Sequence, residues 1–200
     1  HRDLHSFPTR RSSDLKEFIK HPLKMGSITP SSPFLAEKML EHIPSNDQKF
    51  IIELGPGTGA ITKHIIPKLT KKCQFLGVEI NEEMIKFLEK EYPNMKIAPI
   101  SAENLDKYLI ETGLTKATHI ISGLPWAIFN EELQEAILAS IVKSMQEDGV
   151  FTTFAYVHAL KLKTAKNFKE KLSTFFETIE MTSPIWMNIP PAIVYHCRLK

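Results

Sequence analysis

Two carboxylates and three glycines carry the densest chemistry in this chain. Glu53 precedes the run Gly55-Pro56-Gly57-Thr58-Gly59, with glycine at alternate positions, and Glu79 closes the next apolar stretch. Glycine has no Cβ and tolerates positive φ, so such a loop lets a ligand come close to the backbone. A helix that starts behind the loop offers free N–H groups to an anion, most simply a carboxylate. An acid at the end of a neighbouring strand accepts both hydroxyl protons of a ribose. Gly55-x-Gly57-x-x-Ala60 would also pass as the Gly/Ala form of a dinucleotide fingerprint. The continued spacing to Gly59, the position of Glu53 and the second acid at Glu79 favour a different ligand.

These residues need a scaffold, and hydrophobic periodicity supplies one. Phe50 to Leu54 is a short apolar run closed by glycine, which predicts a fully buried strand. Ile61, Ile65, Ile66 and Leu69 then recur at helical spacing, so the glycines fall on a strand-to-helix turn. Phe75 to Ile80 predicts the second strand. Asn81 caps the next helix, with Glu82 and Glu83 where the helix dipole favours acids and Met84, Ile85 and Leu88 facing inward. Lys96 to Ile100 is a weak third strand leading to Ser101-Ala102-Glu103-Asn104. Thr118 to Ser122 is the fourth, followed by Gly123-Leu124-Pro125-Trp126. Asn130 caps a long helix with Leu133, Ile137, Leu138, Ile141 and Met145 on its core face, and Asp148-Gly149 turns the chain into a fifth strand from Val150 to Val157. Two last strands, about Glu177 to Trp186 and Ala192 to Arg198, join through Asn188-Ile189-Pro190-Pro191. Strands alternating with helices imply a parallel sheet, and the closing hairpin adds one antiparallel strand.

Before this core, Lys16 to Lys24 reads as the end of a basic amphipathic helix stopped by Pro22, either packed on its own domain or lying at a membrane interface. Ser32 is an N-cap with Pro33 in the first helical position, and Ala36, Leu40 and Ile43 form an inward stripe. Ser31 and Ser32 either cap this helix or close over a bound ligand. His158 to Leu172 carries five lysines against Glu170, a solvated face or a phosphate-facing patch.

Residues 1–15 look like one reading frame of a common short-read sequencing adapter and lack the apolar region of a signal peptide. They are read as non-native, which makes Lys16 an internal residue. The remaining 16–200 is expected to form one domain, a helical cap over 16–48 and an α/β core over 49–200. Three of the 25 basic and two of the 23 acidic residues lie in the first fifteen, leaving a net charge near +1. That balance does not announce a nucleic-acid binder. Cys73 and Cys197 lack metal-ligand spacing and fit a reducing compartment, so no metal is expected. No apolar run approaches the length of a membrane span.

The loop Glu53 to Gly59 resembles motif I of class I S-adenosylmethionine (SAM) methyltransferases. From Leu23 onward the chain resembles the bacterial phospholipid N-methyltransferases of that class. The resemblance rests on Met25-Gly26-Ser27-Ile28-Thr29-Pro30-Ser31-Ser32, on the glycine loop, on Ser122-Gly123-Leu124-Pro125 and on Asn188-Ile189-Pro190-Pro191-Ala192-x-Val194-Tyr195. It implies a Rossmann-like α/β fold with a seven-stranded, mostly parallel sheet, one antiparallel strand and helices on both faces. It also implies SAM as cofactor and stepwise methylation of phosphatidylethanolamine at the inner face of the membrane. By position, Glu53, Gly55, Pro56, Gly57, Thr58 and Gly59 would hold the amino-acid part of SAM. Glu79 and Ile80 would meet the ribose, and Ala102 and Glu103 would border the adenine. Ser122, Gly123, Leu124 and Pro125 would lie beside the methyl group, with Ser31 and Ser32 closing the site. Related enzymes often place Asp where Ser101 stands.

A sulfonium methyl is already activated, so aligning it with an unprotonated amine supplies much of the catalysis. Tyr156, His158, Tyr195 and His119 are candidate bases, none with a partner legible in sequence. The chain also resembles ribosomal RNA adenine N6-methyltransferases through motif I and a Leu-Pro-aromatic run after strand four. Those enzymes carry Asn where Gly123 stands and an aromatic that stacks on a flipped base, a role open to Trp126. The chain ends soon after the predicted sheet, with no room for their helical RNA-binding domain. A SAM- or lipid-binding module without turnover is the reading from a different class.

Overall fold

A computed structural model describes residues 31–43, 49–161 and 163–199; the basic stretch 16–24 and most of the Met25 to Ser32 motif lie outside them. Helix α1 spans Pro33–Met39. Ser32 caps it as expected, its Oγ accepting from the Leu35 N–H at 3.2 Å, with Pro33 in the first turn. Strand β1, Phe50–Leu54, is buried at every position. The glycine loop follows, then a short helix α2, Thr62–Ile65, continued by a 3₁₀ turn over Ile66–Lys68. The expected longer helix ends here because Pro67 has no N–H to carry the α ladder forward.

Strand β2 is Gln74–Val78 and helix α3 is Glu82–Glu91. The Asn81 side chain accepts from the N–H groups of Glu83 and Met84. Only Leu88 of α3 is fully buried; Met84 and Ile85 are half-buried, a narrower stripe than the periodicity predicts. Strand β3 is Lys96–Ala98. Helix α4, Leu105–Glu111, was not legible in sequence. Only Leu105 and Leu109 of it are buried, so its apolar stripe is too thin to stand out.

Strand β4 is Ala117–Ser122 and helix α5 is Glu131–Ser144, capped by Asn130 through Leu133 N–H at 2.8 Å. All five residues predicted for its core face are buried. Strand β5 runs continuously over Met145–Tyr156. Asp148-Gly149 therefore does not separate two elements. It sits where the pairing with β4 slips, Ala117 opposite Met145 but His119 opposite Val150. A 3₁₀ turn over Val157–Lys161 leads to helix α6, Lys163–Phe175, and then β6, Thr178–Met181, and β7, Ala192–Arg198.

The seven strands lie in the order β3-β2-β1-β4-β5-β7-β6. Pairings among β1 to β5 are parallel, and β7 runs antiparallel to both its neighbours. One face carries Ile52, Leu54, Ile120, Phe151 and Tyr195 against Leu105 of α4, Leu133 and Ile137 of α5, and Phe168 and Leu172 of α6. The other carries Ile51, Ile121 and Val194 against Leu35 and Met39 of α1 and Ile65 of α2. Alternation along each strand thus feeds two cores, which is why the central strands read as unbroken apolar runs.

Candidate functional site

Strand β1 has β2 on one side and β4 on the other, so the chain's path reverses beside it. In open α/β sheets that point leaves a crevice beyond the strand ends where ligands sit. The glycine loop, Glu79, Ala102-Glu103 and Ser122 to Pro125 all lie at or just past the ends of β1 to β4 on this side. Leu54 at the end of β1 pairs with Val78 and with Ser122. Two backbone bonds then hold the loops over the sheet edge. Gly55 N–H donates to Val78 O at 2.9 Å, and Gly123 N–H donates to Leu54 O at 2.8 Å.

The loop conformation explains its composition. Gly55, Gly57 and Gly59 have φ of +68°, +55° and +76°, in the left-handed region that side chains resist. Their surroundings differ. A Cβ on Gly55 would lie 2.8 Å from Leu124 Cδ2, and one on Gly59 would lie 2.8 Å from the Tyr92 ring. A Cβ on Gly57 would meet no protein atom within 4 Å. The middle glycine faces open space while its neighbours are packed, as a cradle requires.

The two acids behave differently. Glu79, 8 % exposed, binds the loop itself: Oε2 accepts from Gly57 N–H at 3.1 Å, and Oε1 accepts from Ile80 N–H at 2.8 Å and Asn81 N–H at 3.0 Å. Three acceptor positions of about four are filled, leaving the carboxylate room for a hydroxyl donor. Glu53 is 1 % exposed and accepts from Thr62 Oγ1 at 2.6 Å. Burial pushes its carboxyl up to about 7, reinforced by the Glu79 charge, although the Thr62 bond pulls the other way.

At the end of β4, Ser122 is fully buried; its Oγ accepts from Leu124 N–H at 3.2 Å. A Cβ on Gly123 would lie 3.0 Å from Gly55 O, so the two loops leave almost no room for a side chain there. Trp126 is 4 % exposed, stacked on Phe168 with ring centres 4.7 Å apart and donating its Nε1–H to Thr153 Oγ1 at 2.8 Å. It is a core residue and cannot stack on an incoming base. Ala102 is buried and Glu103 half-buried in the 3₁₀ turn Ala102–Asn104 after β3.

Among the candidate bases, two are remote from the crevice or sealed. His119 lies near the start of β4 with Nε2 2.8 Å from His42 O, and its pKa is lowered by burial. Tyr195 is 2 % exposed within the core. Tyr156 and His158 stack at 5.7 Å where β5 ends, beyond Thr153, the partner of Ser122. Sequence reasoning missed three contributors. Thr62 had the signal of a hydroxyl in the turn behind the loop. Tyr92 had none, because its placement over Gly59 is tertiary. Asn188, already quoted for the family resemblance, is 3 % exposed and accepts at Oδ1 from Ser32 N–H at 2.9 Å. No group of histidine, cysteine or acidic residues with metal-site geometry occurs among the described residues.

Known proteins resemble this chain in sequence and in fold. The chain is 27 % identical over 187 residues to the ornithine lipid N-methyltransferase of Singulisphaera acidiphila, covering 92 % of this chain and 93 % of that one. It is 30 % identical over 109 residues to ribosomal RNA small subunit methyltransferase A of Mycoplasma capricolum, but spans only 40 % of that relative's length. No family model matches the chain. Among solved structures, a TehB-like SAM-dependent methyltransferase from Corynebacterium glutamicum superposes with a TM-score of 0.61 at 13 % identity, over 94 % of this chain and 97 % of that one. Aeropyrum pernix fibrillarin, solved with SAM bound, gives 0.60 at 14 % identity over 80 % and 72 %. Fold, glycine loop and relatives together define the chain as a SAM-dependent methyltransferase with the class I, Rossmann-like sheet. The lipid and ribosomal RNA relatives are the two groups its motifs resemble.

Proposed function

We propose that the protein transfers methyl groups from SAM to the amine of a membrane lipid, phosphatidylethanolamine or its methylated derivatives, at the inner membrane surface. The observation that carries the lipid choice over a nucleic-acid base is the loop after β4. Gly123 is packed against Gly55 O and Trp126 is locked in the core, so this loop offers neither an amide nor a free aromatic face to a flipped adenine. Similarity to a lipid N-methyltransferase over nearly the whole of both chains supports the same choice.

In this reading the open side of Gly57 receives the amino-acid part of SAM, with Gly55, Pro56, Thr58 and Gly59 shaping the turn and Glu53 beneath it. Glu79 and Ile80 border the ribose, Ala102 and Glu103 the adenine, and Ser31 and Ser32 lie over the opening. SAM supplies an activated methyl on a sulfonium. The chain's part is to hold the amine in line with it past Ser122, Gly123, Leu124 and Pro125, and to exclude water, which favours the neutral amine. No general base is assigned; Tyr156 and His158 are the two candidates at this end of the sheet.

The test is expression in a bacterium that makes phosphatidylethanolamine but no phosphatidylcholine, followed by lipid mass spectrometry, with and without a co-produced ornithine lipid. Mono-, di- and trimethylated phosphatidylethanolamine, absent with Gly57→Asp, is the expected result. Methylation of ornithine lipid alone would reassign the acceptor. A protein that binds SAM and methylates neither lipid would sink the proposal.

A further inference from the structure

The loop between β6 and β7 presents apolar side chains to solvent, although hydrogen bonds fix its backbone at Thr182, Ile185, Asn188, Pro190 and Pro191. Trp186 is 68 %, Met187 65 % and Ile189 76 % exposed, and Met181, the last residue of β6, 53 %. The backbone between and beside these side chains is hydrogen-bonded at several points. Thr182 N–H donates to Val194 O, Ile185 N–H to Ala192 O at 2.7 Å, and Asn188 N–H to Ile185 O. Asn188 Nδ2 donates to Pro190 O at 2.6 Å, and Val157 N–H donates to Pro191 O. Ordering large apolar groups in water has no folding benefit, so the exposed cluster marks a contact surface.

We infer that this loop, Thr182 to Pro191, is a wedge that enters the interfacial layer of a lipid bilayer and seats the crevice on it. The inference rests on the lipid reading above. Three observations choose a bilayer as the occupant. From Thr182 to Val194 the sequence carries no charged residue, so the wedge brings no ion into a medium that penalises one. Its most exposed aromatic is a tryptophan, the side chain that favours the headgroup boundary with one apolar and one polar end. The loop also lies where β5 ends and β7 begins, the end of the sheet that carries Leu54, Ser122 and the glycine turn. Phe34, 48 % exposed, adds a further aromatic two residues from Ser32, which Asn188 holds. A bilayer contact at Trp186 is thereby joined through Asn188 to the segment proposed to lie over SAM.

The sequence makes the test direct, because it holds only two tryptophans and Trp126 is buried. The full chain is mixed with vesicles of phosphatidylethanolamine and phosphatidylglycerol brominated in the acyl chains, and tryptophan fluorescence is followed. Quenching is expected in the wild type and lost in Trp186→Phe, which leaves Trp126 as the control. The triple change Trp186→Ser, Met187→Ser, Ile189→Ser is expected to lower vesicle partitioning about tenfold or more while SAM binding is retained. Vesicle binding with Trp186 unquenched overturns the wedge, as does no vesicle binding at all. Self-association removed by the same triple change, without quenching, overturns it in favour of a protein contact. A short-chain phosphatidylethanolamine dispersed as monomers separates the two ideas: methylation of it without bromolipid quenching leaves the lipid reading standing and the wedge disproved.

Discussion

The backbone N–H of Ser32 donates to Oδ1 of Asn188 at 2.9 Å, joining residues 156 positions apart. Asn188 is buried, and its Nδ2 donates to Pro190 O, so one amide ties the start of α1 to the loop before β7. On the proposed reading, Asn188→Ala raises KM for SAM severalfold more than it lowers kcat, because the segment over the cofactor loses its anchor. Removing a buried hydrogen-bond partner costs about 1–3 kcal/mol of stability. Asn188→Asp keeps the acceptor for Ser32 and is expected to recover part of the affinity. Steady-state kinetics on the three proteins decide it; an unchanged KM in Asn188→Ala would show that the tie is structural only.

Gly57 and Gly59 separate packing from binding. Gly59→Ala puts a Cβ against Tyr92 and adds positive-φ strain, so it is expected to lower the melting temperature clearly. Gly57→Ala carries the strain, about 1–2 kcal/mol, without a protein clash. Its loss of SAM affinity, read by calorimetry, should exceed its loss of stability, read by urea unfolding. Equal losses would mean that the open side of Gly57 is not where the cofactor rests.

On the proposed reading, Glu53 links cofactor binding to protons. Its folded-state carboxyl is pushed up to about 7 from 4.5, so it is largely protonated between those values in the free protein. Its ionisation therefore works against the fold as pH rises from 4.5 through 7. The SAM ammonium would favour the carboxylate, so binding between these pH values should release a proton, and affinity should rise with pH and level off above 7. Calorimetry in buffers of different ionisation enthalpy measures that proton. Glu53→Gln is expected to abolish the release, and its persistence would point to another group.

His196 of β7, with His42 packed edge-on against it, makes stability depend on pH on the acid side. His196 is 2 % exposed, its Nδ1 3.1 Å from Thr152 Oγ1, its ring edge-on to His42 at 4.4 Å. Burial, then the charges of His42 and Arg198, push its pKa down to about 4, against the opposing pull of Glu41 and Glu180. His119 is lowered in the same direction by burial and by Lys49, Arg198 and His42, although its bond to the His42 carbonyl opposes this. A depressed histidine stays neutral in the fold while the unfolded chain takes a proton near 6.5. The contribution of His196 to stability is thus complete above 6.5 and lost as pH falls towards 4, by at most about 3 kcal/mol, opposite in sign to that of Glu53 over the same range. Urea unfolding across that range should show a shallower pH slope in His196→Phe, and an identical slope would refute the assignment.

The sequence alone determined the sheet's central strands and the glycine turn. Phe50 to Leu54 is apolar at all but one position because both faces of β1 are buried, and alternate glycines are demanded by three successive positive φ values. Caps at Ser32, Asn81 and Asn130 were legible because an N-cap acts on N–H groups two or three residues away. Tertiary structure decided what depends on distant neighbours. The thin stripe of α4 gave no signal until α5 packed on it. Trp126 follows a motif that suggests stacking on a ligand, yet Phe168, Phe129 and Phe151 claim it for the core. The bond from Ser32 to Asn188 and the packing of Tyr92 over Gly59 join segments that no local spacing relates. Local rules describe how a residue meets its near neighbours along the chain, whereas these contacts exist only once the sheet has brought remote loops to one edge.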